Sequence, residues 1–367
     1  MTGARDVPHP LEAVGGTPTV QLRSLTEPAE ATLVAKLEPA DPGGSLPDRS
    51  AWQVIRRAED EGRLRPGATI IGSSSGGFGT ALAAIGVSRG YQVIAIVDPT
   101  TAPADWMLYE ASGAEVIVVD QQDGSGSYHP ARLALANRLH RQIPHSFRAD
   151  KQVSPQHVGA HFRGTARELV ATVGDRLTAV VCTVRTSGQL GGVSRYLARH
   201  APQVRVVGVD IVGSTVSDWA PANLADVARV HEVYQVSDEV AHTGCRALVR
   251  HEGVLAGVST GAALTVALRL AMQRGSDEVV ALLVADRGEP YLRTAAGPAR
   301  SAGSGLAGSG LAGSGLAADT SVEGLRTRAT WLVPTSAALA RGRPRYAPQP
   351  AAGRGAPSVP VEQRLAS

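Results

Sequence analysis

The chain has 367 residues, of which 43% are hydrophobic and 19% charged, which suits one large α/β body or two apposed domains with a buried core. No apolar run reaches the roughly 18 residues of a membrane-spanning helix, and residues 1–16 lack the apolar segment of a secretion signal. Two cysteines, Cys182 and Cys245, make neither a disulfide framework nor a C-x-x-C metal pattern. We therefore expect a cytoplasmic protein that binds no metal.

The formal net charge of +3 is unevenly distributed. Residues 299–367 carry eight arginines and three acids, a local charge of +5, so the rest of the chain carries −2. A basic tail can hold nucleic acid or an acidic surface by counterion release, but a solvated, disordered end is the simpler interpretation, and we expect no nucleic acid partner. Lysine is scarce, because 34 of the 36 basic residues are arginines and only Lys36 and Lys151 are lysines.

From about residue 12 to 296, Val/Ile-rich runs alternate with helical patterns. Continuous hydrophobicity indicates strands buried on both faces, and the alternation favours parallel, doubly wound sheets that bind ligands at the carboxyl ends of their strands. In chain order, the predicted elements are a helix over Ser50–Glu61, a strand over Ala68–Ile71, a helix over Thr80–Arg89, strands over Tyr91–Val97 and Glu115–Asp120, a helix over Ala131–Arg141, strands over Thr178–Val184 and Val204–Ile211, a helix over Gly261–Arg274 and a strand over Glu278–Asp286.

The composition changes after Arg300. Residues 302–316 read AGSGL three times, which is typical of a flexible linker. A Pro/Arg/Ala-rich stretch then runs to Ser367 and contains one apolar patch, Ala329–Leu339. We interpret this patch as a stray apolar segment and not as a docking site for a partner. The sequence thus predicts a linker and a disordered basic tail over 297–367.

Several segments together resemble the fold-type II family of pyridoxal phosphate (PLP) enzymes, which includes cysteine synthase and cystathionine β-synthase. The resemblance covers residues 12–296 and implies two doubly wound parallel-sheet domains of the tryptophan synthase β-like architecture. The larger α/β domain would comprise 12–40 and 151–296, and the smaller one 41–150. The segments that carry the resemblance are VGGTPTVQL (Val14–Leu22), KLEPADPGGSLPDR (Lys36–Arg49), SSGGFG (Ser74–Gly79), EGVLAGVSTGAAL (Glu252–Leu264) and ADRGEPYL (Ala285–Leu292).

The family's Schiff-base lysine stands two residues after the serine of the P-G-G-S motif, and here that position is Pro47. Proline has no primary amine, so it cannot form an imine with PLP. A coding preference against lysine would have given arginine, and does not explain the change. The surrounding residues still suit a helix start, with Ser45 predicted as the N-cap, Asp48 completing a capping-box-like pattern and Pro47 in the first turn.

Three further positions depart from the family's cofactor contacts. The asparagine that bonds the cofactor's ring oxygen corresponds to Gly77, and the serine that faces the pyridine nitrogen corresponds to Arg287. The glycine-rich phosphate loop corresponds to a stretch in which Arg185 replaces a glycine; a small anion could bind there, or the stretch is an ordinary turn. Four losses favour a protein without PLP, so we predict no cofactor. The residues of the former phosphate loop are Arg185, Thr186, Ser187, Gly188 and Gln189.

The resemblance also implies an anion site. The segment Ser146–Phe162 places Lys151 where relatives carry an active-site glutamine. Lys151 could bind a carboxylate or phosphate, or serve as an alternative imine-forming amine; an ordinary surface lysine is the other interpretation. Lys36 lies in a likely strand before the P-G-G-S motif, and we interpret it as structural or solvated. With Arg185 and Arg287, Lys151 would converge on a positively charged crevice. The predicted anion-binding residues are Ser74, Ser75, Gly76, Gly77 and Lys151.

Three hypotheses follow. In the first, the chain is a pseudoenzyme or repurposed member of the family. It binds either a small anionic ligand, such as an amino acid or a phosphorylated metabolite, or an active relative. It would form a homodimer, or a heteromer with that relative. Alternatively, it is a PLP-dependent β-replacement enzyme of cysteine synthase type that acts on an O-activated serine with Lys151 or free PLP. Lastly, it is an interaction protein that acts through its basic tail. Fold alone does not decide among them.

Overall fold

Strands of the described part of the chain form two separate sheets. The computed structural model describes residues 9–74, 76–149, 155–184, 188–212, 230–291 and 321–334, all within one unit that spans residues 1–336. The strands are β1 (Thr19–Leu22), β2 (Thr32–Leu37), β3 (Thr69–Ser73), β4 (Gln92–Val97), β5 (Glu115–Val118), β6 (Phe147–Arg148), β7 (Leu177–Thr183), β8 (Arg205–Val212), β9 (Glu232–Ser237) and β10 (Val279–Val284).

Helices connect most of these strands, as parallel pairing requires. A π-helix over His161–Ala166 lies between the fifth and sixth α-helices. The α-helices are α1 (Pro47–Asp60), α2 (Gly77–Ser88), α3 (Pro103–Ser112), α4 (His129–Gln142), α5 (Pro155–Ala160), α6 (Arg167–Val173), α7 (Gly188–His200), α8 (Asp238–Glu252), α9 (Val258–Ala271) and α10 (Val322–Thr330).

The larger sheet has the strand order β1-β2-β10-β7-β8-β9, and only the β1–β2 pair is antiparallel. Every residue of β10 is buried, because α9 packs on one face of the sheet and α7 on the other. This burial on both faces explains the unbroken apolar run VVALLV of that strand. The smaller sheet is fully parallel, with the order β5-β4-β3-β6.

The fold class predicted from the sequence is confirmed: the chain is α/β, with two sheets of the tryptophan synthase β-like architecture. The domain boundaries within it stay a prediction. The strand β6 pairs only with Ile70 and Ile71 of β3. Because it has just two residues, it is too short to produce a recognisable strand pattern in the sequence. No helix in the described ranges combines the length and apolarity needed to cross a bilayer.

The sequence predicts a disordered stretch over 297–367, but residues 321–334 within it form the helix α10, its N-cap Ser321 and the segment that follows the helix. Leu325 and Ala329 are fully buried against α8 and α9, and Arg326 makes a two-pronged ion pair with Glu30 (2.6 and 2.7 Å). Arg269 of α9 donates to the Thr330 carbonyl at the end of α10 (2.6 Å). The disorder prediction is therefore wrong for this stretch, because short helices that depend on tertiary packing carry little local signal.

Candidate functional site

The P-G-G-S segment lies against the carboxyl end of β10. Leu46 N–H donates to the carbonyl of Ala285 (2.7 Å), and Ser45 forms an antiparallel bridge with Asp286. Pro47 opens α1 as predicted, where its missing N–H leaves no hydrogen bond unmade. The prediction that Ser45 caps this helix is wrong: the residue at the cap position is Leu46, and no side chain caps the helix.

Pro47 faces the loop that precedes α2. A Cβ on Gly77 would stand 3.3 Å from Cγ of Pro47 and 3.8 Å from Oγ of Ser45. The structure thus brings together two of the positions that sequence analysis assigned to cofactor binding. Pro47 has no side-chain amine and Gly77 has no side chain at all, so neither position offers an amine or an amide.

Arg287 lies across the P-G-G-S loop. Its guanidinium donates to the Pro39 carbonyl (3.4 Å), and a Cβ on Gly44 would lie 2.8 Å from its Nε. Gly44 has a φ of +82°, which favours glycine there. The side chain of Arg287 therefore contacts the loop 39–44, which is a more specific placement than the open crevice expected from the sequence.

The remaining predicted residues divide into two groups. Ser75, Lys151 and residues 185–187 (Arg185, Thr186 and Ser187) lie outside the described residues. Gly188 and Gln189 begin α7, and the amide oxygen of Gln189 accepts a hydrogen bond from Thr183 (3.1 Å). Ser74 and Gly76 lie between β3 and α2, and Gly76 is the N-cap of α2. No group of His, Cys, Asp and Glu in the described ranges is arranged to hold a metal ion.

A buried charge network lies beneath the P-G-G-S loop. Arg49 donates to Glu38 (2.5 Å) and to both carboxylate oxygens of Glu168 (2.7 and 2.8 Å). The Lys36 ammonium is 2.8 Å from Glu168 and donates to the Thr17 carbonyl (3.0 Å), with 1% of its side chain exposed. Burial opposes ionisation of Glu168, but Arg49 and Lys36 outweigh it and hold its pKa well below the usual range. Lys36 is therefore a structural residue engaged on two sides.

Two aspartates flank the loop. Asp41 accepts the Gly15 N–H (2.7 Å) and Asp48 accepts the Gly43 N–H (2.6 Å). Burial, reinforced by the charge of Glu38, raises the pKa of Asp41 to about 7. Burial raises the pKa of Asp48 to about 6. Both carboxyls thus ionise at a higher pH than exposed aspartates do.

Sequence analysis missed the acids of this network and one aromatic residue. Glu168 lies 119 residues after Arg49 in the chain, so no local spacing could have linked them. Tyr109, on α3, is fully buried and donates to the Ser74 carbonyl (2.7 Å). The sequence PADWMLYEAS of this helix mixes polar and apolar residues, so it does not distinguish a buried face from an exposed one. It therefore gave no sign that Tyr109 reaches Ser74.

Comparisons with known proteins agree with the fold. The family model described as pyridoxal-phosphate dependent enzyme matches residues 11–286. An N-(2-amino-2-carboxyethyl)-L-glutamate synthase of Ralstonia nicotianae is 33% identical over 295 residues, covering 77% of this chain and 87% of that protein. The crystal structure of O-ureido-L-serine synthase has a TM-score of 0.69 and 29% identity, covering 78% of this chain and 94% of that one.

A variant of that synthase adds a further finding. One of its lysines is replaced by alanine, and its crystal structure contains bound O-ureido-L-serine. It has a TM-score of 0.69 and 28% identity to this chain, and covers 79% of this chain and 93% of its own.

Proposed function

Because this chain belongs to the family of pyridoxal-phosphate-dependent enzymes, we propose that it binds a β-substituted alanine without holding PLP covalently. The ligand's carboxylate would lie at the loop 74–77, beside the first turn of α1. The protein would therefore be a binding or repurposed member of its family.

One observation supports this proposal most directly: the residue that opens α1 and faces Gly77 is Pro47, which has no amine. The one lysine among the described residues, Lys36, is buried and tied to Glu168 and Thr17. Gly77 offers no side chain, and the guanidinium of Arg287 occupies the surface of Gly44. The described residues therefore do not fit a covalently linked PLP.

The ligand class is suggested by the relatives. N-(2-amino-2-carboxyethyl)-L-glutamate and O-ureido-L-serine, which the relatives' names give as products, are both alanines with a nitrogen or an oxygen on the β-carbon. The lysine-to-alanine variant holds one of these compounds. In this chain the 12-residue helix α2 points its amino end at the loop 74–77, which favours a carboxylate there.

Calorimetry with O-acetyl-L-serine tests this function on full-length protein freed of PLP. We expect saturable binding at one site per chain. Gly77→Asp should abolish it, because a carboxylate would stand in the loop. Gly124→Asp is the matched control, since Gly124 is exposed and a Cβ there would meet nothing within 4 Å. Binding that appears only after PLP is added, or that survives Gly77→Asp, would contradict the proposal.

The second candidate function is PLP-dependent β-replacement on an O-activated serine, and the synthases among the relatives favour it. Lys151, the other lysine of the chain, or free PLP would then have to stand in for the missing lysine. The test is a mass-spectrometric search for N-(2-amino-2-carboxyethyl)-glutamate after incubation with PLP, O-phospho-L-serine and L-glutamate. Product that disappears in Lys151→Arg would establish this activity, whereas no product would exclude it for these substrates.

A further inference from the structure

The N-cap of α2 is Gly76, and among the described residues no side chain caps this helix. The backbone contact closest to a cap is the Gly79 N–H, which donates to the Gly76 carbonyl (2.8 Å). A glycine-rich loop of this kind is conformationally permissive. A hydrogen bond to Ser74 from another element would therefore help to order its beginning.

Tyr109 supplies such a hydrogen bond from α3. Its side chain is fully buried in the apolar cluster that also contains Phe78 and Leu82 of α2. Its hydroxyl donates to the carbonyl of Ser74, the residue that follows β3, with an O–O distance of 2.7 Å. A buried hydroxyl and a carbonyl that satisfy each other in this way are held in one arrangement, since breaking the pair would leave both without a partner.

Gly79 makes this contact possible. A Cβ on Gly79 would lie 2.0 Å from the Tyr109 hydroxyl oxygen and 2.9 Å from the Ser74 carbonyl oxygen. Because residue 79 has no side chain, the Tyr109 hydroxyl can reach the Ser74 carbonyl. Burial, with the charges of Asp105 and Asp98, raises the pKa of Tyr109 far above its ordinary value, so the hydroxyl remains a donor.

We infer that Tyr109 is a positioning residue: it holds the Ser74 end of the site that receives the ligand's carboxylate. This inference rests on the proposed function for the ligand, but the ordering of the loop by Tyr109 does not. Tyr109 touches no ligand itself and acts through the Ser74 carbonyl. Its effect should therefore be confined to the recognition of the carboxylate.

The experiment compares Tyr109→Phe with Tyr91→Phe in the full chain. Each substitution removes one hydroxyl from a buried tyrosine of the same apolar cluster, and Tyr91 bonds Glu59 (2.8 Å) at the amino end of β4, away from the loop. The first readout is amide hydrogen exchange of peptides covering 74–79, without ligand. We expect about tenfold faster exchange in Tyr109→Phe and no change in Tyr91→Phe.

The second readout is the ratio of affinities for O-acetyl-L-serine and its methyl ester. This ratio should fall about tenfold in Tyr109→Phe and stay constant in Tyr91→Phe, which a general loss of stability would not produce. An unchanged ratio together with unchanged exchange would overturn the inference. If the parent protein binds neither compound, the proposed function fails, while the exchange measurement still decides the role of Tyr109.

Gly79→Ala provides a second route to the same test. The added methyl group meets the Tyr109 hydroxyl and must displace it, so loop exchange should accelerate as in Tyr109→Phe. Combining the two substitutions should add little, because both break the same hydrogen bond. Fully additive acceleration would contradict a shared mechanism.

Discussion

Two neighbouring regions differ in how completely they are built: the buried charge network beneath the P-G-G-S loop, here called the base, and the contact between Pro47 and Gly77, here called the mouth. At the base, Lys36, Glu168, Arg49 and Glu38 form a closed network in which each charge meets an opposite one at 2.5–2.8 Å. At the mouth, Pro47 faces Gly77, and neither residue offers an amine or an amide side chain. At the base, every charge of the network is paired, as a stable fold requires. At the mouth, neither Pro47 nor Gly77 supplies the amine that covalent PLP chemistry requires.

This difference fits the proposed function, in which fold and chemistry separate within a few ångströms. Removing one partner from the buried network would leave an uncompensated charge, so these residues are tied to folding itself. Pro47 carries no such penalty, because proline suits the first turn of a helix. The P-G-G-S loop connects the two regions, and its conformation belongs to the scaffold even where the nucleophile is absent.

The largest effect is expected at the base. Arg49→Ala should lower the free energy of unfolding by about 3–5 kcal/mol, since Glu38 and Glu168 would lose their shared partner. Denaturant unfolding measures this change. Arg57→Ala is the matched control, because Arg57 pairs with Glu61 on the surface and should change little. Equal effects of the two substitutions would contradict a structural role for the network.

A pH-dependent effect should come from Asp41. Its pKa rises from 3.8 to about 7 on folding, so the folded chain binds this proton more tightly than the unfolded chain. The resulting stability is fully present below pH 4 and is lost as the pH rises through about 7. Asp41→Asn should remove this loss, so its stability relative to the parent should increase with pH by at most about 1.4 kcal/mol per unit.

Thermal or urea unfolding between pH 4 and 8 tests the Asp41 prediction. Asp123→Asn is a suitable control, because Asp123 is exposed and its pKa is lowered by hydrogen bonds from Ser125 and Ser127. A constant difference between Asp41→Asn and the parent over this pH range would show that the carboxyl ionises freely in the folded chain.

The smallest effect concerns the contact at the mouth. Alanine normally stabilises a helix relative to glycine by roughly 0.5–1 kcal/mol, but the methyl group of Gly77→Ala would meet Pro47 Cγ at 3.3 Å. We expect little gain from Gly77→Ala alone and the usual gain in a Pro47→Ala background. A double-mutant cycle of unfolding free energies measures the coupling; strict additivity would mean that the two residues do not touch.

Much of the scaffold could be predicted from the sequence because its strands are continuous apolar runs and its motifs are local. The run VVALLV of β10 and the start of α1 at Pro47 are examples. The buried charge network could not be predicted, since Arg49 and Glu168 meet only through the fold. Nor could α10, whose burial depends on α8 and α9, or Tyr109, which reaches Ser74 from another helix.

The central claim, that this chain does not hold PLP covalently, is tested most directly by borohydride reduction after incubation with PLP, followed by intact-mass spectrometry. The native protein should keep its unmodified mass, apart from the background adduct that urea-unfolded protein also gives. One reduced PLP per native chain, mapped to Lys151 and absent from Lys151→Arg, would contradict the claim and establish a family enzyme with a displaced lysine.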